Sequence, residues 1–208
     1  MDKKDRCSLI LERLFLEYPD AGTMLKYNSF FELLVAVILS AQTTDKQVNK
    51  VTPELFAVYN TPEAMAKADL KELEEKIKKV GLYRSKAKNL KNMARFLIDF
   101  YDGKVPDDFE ELMKLPGVGR KTANVVLSVG FGKPGLGVDT HVHRVVNRLG
   151  LVQTDNPIKT EYELKDLISV ELWGRAHHLF IFHGRRVCKA RRPECIKCII
   201  NDLCCKNF

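Results

Sequence analysis

The chain has 208 residues, enough for one large domain or two small ones, and its 45% hydrophobic content is ordinary for a globular protein. A formal net charge of +7 favours a polyanionic partner, and the excess is concentrated: residues 174–208 carry eight basic side chains (Arg175, Arg185, Arg186, Lys189, Arg191, Arg192, Lys197, Lys206) against Glu194 and Asp202. Residues 1–5 are charged and lack the apolar core of a signal peptide, and the longest apolar stretch, residues 30–39 with Glu32 inside it, is well short of the roughly 20 residues of a membrane span. The expectation is a cytoplasmic protein with no membrane partner. In that reducing compartment six cysteines point to metal or cluster ligation rather than to disulfides.

The elements that follow in chain order are all helical. Leu9, Leu11, Leu14, Phe15 and Leu16 build a first amphipathic helix, which Pro19-Asp20-Ala21-Gly22 ends. Ser29 N-caps a buried helix that runs to Leu39 and is broken by Ser40-Ala41-Gln42-Thr43-Thr44. Asp45 caps the next, with Val48, Val51 and Leu55 on one face, and Thr61-Pro62-Glu63 starts another, with proline in the first turn. Ile77 and Val80 finish the following helix, with Gly81 as its C-cap. A long amphipathic helix then covers residues 85–101 with Ala87, Leu90, Ala94, Leu97 and Ile98 apolar, and Asp102-Gly103 stops it. No convincing alternating segment or hairpin signal occurs, so the fold class is all-α. The Gly- and Pro-rich stretch 133–137 is the best internal boundary.

Residues 107–115 and 120–129 form two helices joined by Pro116-Gly117-Val118-Gly119. Both glycines permit positive φ and a close approach of backbone to another surface. The second helix then turns its unpaired N–H groups toward the bend, which favours an anion such as a phosphate. From the glycines alone this is an ordinary helical hairpin; the adjacent Arg120-Lys121 pair tips the reading toward a nucleic-acid backbone.

Leu115-Pro116-Gly117-Val118-Gly119-Arg120-Lys121-Thr122-Ala123 resembles the helix-hairpin-helix motif of the endonuclease III family. Gly132-Lys133-Pro134-Gly135 with Val138-Asp139-Thr140-His141-Val142 matches the family's next signature, and Leu39-Ser40-Ala41-Gln42 and Gly81-Leu82-Tyr83 are similar to it as well. The resemblance implies a two-lobed, all-α DNA glycosylase and AP lyase of base excision repair, acting as a monomer on damaged double-stranded DNA. Residues 23–133 would form a multi-helix domain ending in the hairpin, and residues 1–22 with 134–208 a second domain holding an iron–sulfur cluster, with DNA across the cleft between them.

The same resemblance assigns the chemistry. Lys121 stands in the first turn of the second hairpin helix, where the helix dipole and Arg120 both act against a charged ammonium, and it would be the Schiff-base nucleophile. Taken alone it is a phosphate-binding lysine. Asp139 alone is a helix N-cap, and by resemblance it is also the catalytic carboxylate. Gln42 would face the base left unpaired when the target nucleotide rotates out, and Leu82 would wedge the stack. Gly117, Gly119, Arg120 and His141 would contact DNA. A monofunctional adenine glycosylase of the same fold lacks the lysine at this position, and a non-enzymatic hairpin module would need neither the lysine nor the aspartate.

Cys188, Cys195, Cys198 and Cys204 are spaced C-x6-C-x2-C-x5-C, which suits zinc or a [4Fe–4S] cluster. The family carries a [4Fe–4S] cluster at this spacing, and that is the expected cofactor. It would hold the loop between the first two ligands rigid and present Lys189, Arg191 and Arg192 to the DNA backbone. Cys205 is a spare beside the fourth ligand, Cys7 a small core residue, and His177, His178 and His183 structural.

Overall fold

The computed structural model describes residues 1–207, and among them there are helices, turns and loops but no strand. None of these helices is long and apolar enough to cross a membrane. The chain divides into two compact units, Met24–Lys133 and Met1–Thr23 joined with the chain from Pro134 onward.

The unit Met24–Lys133 is built on α2 (Phe30–Ser40), in which every residue from Phe31 to Leu39 is buried. A helix apolar on all sides has to sit inside its unit, and α2 packs against α3 (Asp45–Phe56), α6 (Tyr83–Tyr101) and α8 (Arg120–Val125). Its one acid, Glu32, is buried but satisfied, accepting from the Asn28 backbone N–H at 2.7 Å and from Asn28 Nδ2 at 3.1 Å. Ser29 caps α2 as expected, its hydroxyl accepting from the Glu32 N–H. The short helices α4 (Pro62–Lys67) and α5 (Leu70–Ile77) lie on α6. α7 (Phe109–Lys114) precedes the hairpin, and α8 runs on as a π-helical turn, Val126–Gly130.

The other unit places α1 (Lys3–Glu17), α9 (Thr140–Arg148), α10 (Pro157–Leu167) and α11 (Trp173–Arg186) around a second apolar core. α11 supplies Ala176, Leu179, Phe180, Ile181 and Phe182, and α9 supplies Val142, Val145 and Val146. A short 3-10 turn at Val170–Leu172 leads into α11, and two more follow it at Cys195–Lys197 and Asn201–Leu203.

Several local expectations change. The buried stripe of α1 is Cys7, Ile10, Leu11 and Leu14, an i, i+3, i+4, i+7 set; Leu16 lies on the opposite side, 72% exposed. Ile98 likewise faces outward while Met93 fills the core face of α6. Thr44, not Asp45, caps α3, because its hydroxyl reaches the Gln47 N–H. α5 ends at Ile77, so Gly81 is not its C-cap. Asp102 and Gly103 do end α6, both in left-handed backbone, with the Gly103 N–H returning to Leu97 O.

Candidate functional site

The hairpin is anchored from beneath and open above. Val118 is buried between Gly117 and Gly119, which are both exposed, so the apolar side chain fixes the bend to the core and leaves its backbone bare. Only Gly117 uses left-handed backbone, at φ +83°, and a side chain there would also strike Asn89 Cβ at 2.9 Å. Gly119 differs from expectation: it is extended, φ −105°, and caps α8 without a side chain. A Cβ on Gly119 would meet no protein atom within 4 Å, so nothing inside the molecule demands glycine there.

Arg120 follows, its guanidinium 4.9 Å over the Phe109 ring, which holds the cation beside the bend. Lys121 is the second residue of α8 and half-buried, next to Thr122 and Ala123, which belong to the buried side.

Gln42 and Leu82 belong to the same unit. Both are exposed and both adopt left-handed backbone, at φ 54° and φ 58°. Leu82, 61% exposed, gains nothing from burial, and no side-chain bond caps α6 at that point. Left-handed backbone in a non-glycine residue is uncommon and clusters at functional sites.

In the other unit Asp139 caps α9: its Oδ1 accepts from the N–H groups of His141 at 2.8 Å and Val142 at 2.9 Å. His141 sits in that first turn with Nδ1 accepting from Arg144 Nη2 at 3.3 Å. Burial lowers its pKa, the nearby Asp139 opposing the shift.

Cys188, Cys195, Cys198 and Cys204 are free thiols and line one hollow with Arg148, His183 and Pro193, while Cys205 is exposed outside it. Burial pushes the Cys198 and Cys204 thiols up, and the neighbouring thiols add to the effect. Donors reach two of the sulfurs: Arg148 Nη1 lies 3.7 Å from Cys188 Sγ, and the Lys206 N–H 3.3 Å from Cys204 Sγ. Among the described residues no three His, Cys, Asp or Glu side chains are arranged to hold a single metal ion.

Between the first two thiols Lys189, Arg191 and Arg192 are exposed, Arg192 with φ 53°. Lys189 pairs with Glu194 across the loop, so part of its charge is already answered there. The expected outward presentation is therefore plainest for the two arginines.

The sequence reading missed the polar clamps on this segment. Arg144 donates to Cys188 O and Gly184 O, and Arg148 to Lys189 O at 2.7 Å and Ala190 O at 3.0 Å. Arg6 of α1 reaches Leu149 O, Gly150 O and Leu203 O. Their i, i+4 spacing on α9 hinted that Arg144 and Arg148 share a face, but not what that face meets. His183 is structural yet adjoins the thiols: buried, it contacts Tyr18 Oη through Nδ1 and Cys198 Sγ through Nε2 at 3.6 Å, and burial draws its pKa down to about 4. His177 is buried against Gly137 O, and Cys7 lies in the core.

Residues 35–169 match the model of the HhH-GPD superfamily of base excision DNA repair proteins. The chain is 51% identical to endonuclease III of Rickettsia conorii over 89% of each chain. It is 49% identical to that of Haemophilus influenzae over 98% of this chain and 96% of the relative. The chain belongs to the endonuclease III family. A solved non-covalent endonuclease III–DNA complex and a trapped endonuclease III–DNA covalent intermediate each superpose with a TM-score of 0.94 at 48% identity, covering 99% of this chain and 97% of theirs. As a member of that family the chain is a DNA repair enzyme, a DNA glycosylase with AP lyase activity. Its all-α fold is the endonuclease III fold.

Proposed function

We propose that this enzyme excises oxidised or ring-saturated pyrimidines from duplex DNA through a Schiff base on Lys121, and then cuts the strand on the 3′ side by β-elimination. The carrying observation is the place of Lys121, one residue after Arg120 and two after the extended Gly119, whose open backbone would let a DNA phosphate approach. The amine of Lys121 attacks the sugar C1′, the C–N bond to the base breaks, and the base leaves with the electron pair. Ring opening gives an imine between lysine and C1′. That imine acidifies C2′, a proton is lost there, and the C3′–O bond breaks to release the 3′ phosphate. Asp139 supplies the carboxylate that offsets positive charge on the sugar and accepts the lysine proton, while its Oδ1 also caps α9. The names of the relatives and the covalent intermediate of a similar protein support this chemistry.

Duplex DNA is the partner, bound by a monomer. The backbone at Gly117 and Gly119, with Arg120, His141, Lys189, Arg191 and Arg192, would hold phosphates without reading sequence. Gln42 and Leu82 would fill the gap left by the rotated nucleotide, a rearrangement that costs a few kcal/mol. Cys188, Cys195, Cys198 and Cys204 would hold a [4Fe–4S] cluster. Four thiols around one hollow fit either that cluster or zinc, and the resemblance to the endonuclease III family favours the cluster. When bound, the cluster cross-links the 188–204 segment and shapes the loop that carries Arg191 and Arg192.

The test is product analysis on a duplex with one thymine glycol. Wild type should release the base and leave a 3′ unsaturated aldehyde; Lys121→Ala should leave the strand intact. A 3′ cut by Lys121→Ala at the wild-type rate would refute the assignment.

A further inference from the structure

Gln42 and Leu82 are separated in sequence by the whole of α3, α4 and α5, yet their turns touch. A Cβ on Gly81 would lie 3.2 Å from Gln42 O, and the Gly81 N–H donates to Thr43 Oγ1 at 3.2 Å. Two non-glycine residues in left-handed backbone each oppose an intrinsic preference of about 1–2 kcal/mol. Something must hold both turns in place.

Lys86 does so from below. It stands one turn into α6 from Leu82, and its backbone N–H bonds to Leu82 O at 3.0 Å. The residue is only 5% exposed, and its side chain runs to the C-terminal end of α2. There Nζ donates to Leu39 O at 2.8 Å, to Ala41 O, and to Thr43 Oγ1 at 3.3 Å. Leu39 and Ala41 offer carbonyls at the end of a helix, where intrahelical donors run out and the helix dipole is negative. Thr43 Oγ1 is thus shared between Lys86 and Gly81 and joins the two turns.

All three partners are neutral oxygens. Burial with no carboxylate at hand pulls the Lys86 pKa down to about 8. An ammonium buried without an opposite charge is an expensive way to pack a helix end, and its return is the fixed geometry of two exposed, strained turns.

We propose that Lys86 is a positioning residue for base extrusion, a buried cation that locks the Gln42 turn to the Leu82 turn so that both side chains enter the duplex together. The proposal rests on the reading of Gln42 and Leu82 as the residues that fill the opened stack.

The experiment uses the full-length protein and a duplex with a tetrahydrofuran abasic analogue opposite 2-aminopurine, whose fluorescence rises when its stacking is disturbed. The readout is the plateau signal at saturating protein, which loss of affinity alone leaves unchanged. Lys86→Met keeps the aliphatic stem and removes the donors; its plateau rise should fall at least about twofold. Lys86→Arg, which keeps the charge and donors, should recover most of the loss. Thr43→Val, at a partly exposed position, removes the shared hydroxyl and tests the same linkage if Lys86→Met fails to fold; its plateau should fall in the same direction. A full plateau in folded Lys86→Met, or in Thr43→Val, with Gln42→Ala and Leu82→Ala both reduced, would overturn the role of Lys86 alone. Full plateaus in Gln42→Ala and Leu82→Ala would overturn the stack-filling reading and the proposal with it.

Discussion

Helix α2 and the C-terminal segment from Val187 to Asn207 are ordered by opposite means. In α2 every residue from Phe31 to Leu39 is buried; in the C-terminal segment only Ile200 is. The helix is fixed by apolar area and close packing. The tail is fixed by guanidinium groups of Arg6, Arg144 and Arg148 on its carbonyls, and Cys188, Cys195, Cys198 and Cys204 would add to this by holding the proposed cluster. The first arrangement is written into the local apolar pattern. The second depends on residues up to 197 positions apart in sequence, and it leaves the loop surface free for cations.

That contrast can be broken or sharpened by experiment. On the proposal that the four cysteines hold an iron–sulfur cluster, the largest effect should follow its removal, by chelation or by Cys198→Ser. The metal-binding free energy of the proposed cluster would then no longer contribute to folding of the segment, and proteolysis after Arg191 should accelerate by about tenfold or more. Amide exchange in α2 should stay as slow as before. Equal loosening of α2 would contradict the division of labour.

Next in size is Leu34→Ala, which opens a cavity in a helix with no exposed face and should cost about 2–5 kcal/mol in denaturant unfolding. A cost below about 1 kcal/mol, the scale of an ordinary surface change, would mean that α2 is not the packed centre. Charge reversal of Arg191 and Arg192 should barely alter unfolding. It should weaken duplex binding and reduce the dependence of log affinity on log salt by about one unit for each DNA phosphate that is no longer neutralised. Unchanged affinity and slope would make the loop a solvated surface.

The smallest effect concerns backbone strain. Leu82→Gly removes an unfavourable left-handed side chain at an exposed position, so unfolding free energy should change by no more than about 1 kcal/mol, in either direction. Activity on duplex DNA should fall nonetheless. A large stability loss without an activity loss would make Leu82 a packing residue.

Legibility followed the same division. The helices up to the hairpin and the Ser29 cap were readable because period, caps and glycines act locally, whereas α10 and α11 were not called from the sequence. Leu16 and Ile98 were misplaced because one apolar residue fits more than one stripe, and neighbouring helices decide which stripe is used. Thr44 and Asp45 are both good caps, and only backbone geometry chose between them. Gly81 looked like a C-cap from its position, but it is needed for the close approach of the Gln42 turn. Lys86 and Arg148 could not be found at all, since a lysine or arginine on an amphipathic helix reads as solvated unless the carbonyls it meets are known. Lys121 and Asp139 were identified through the family motif; local physics alone gives a basic hairpin and a helix cap.

The most direct test of the central claim is borohydride trapping on a duplex with one thymine glycol, comparing wild type with Lys121→Ala. A covalent protein–DNA adduct formed by wild type and absent from Lys121→Ala would establish the Schiff base and its nucleophile together. An adduct of equal yield in Lys121→Ala, or none in a wild type that still releases the base, would contradict the account.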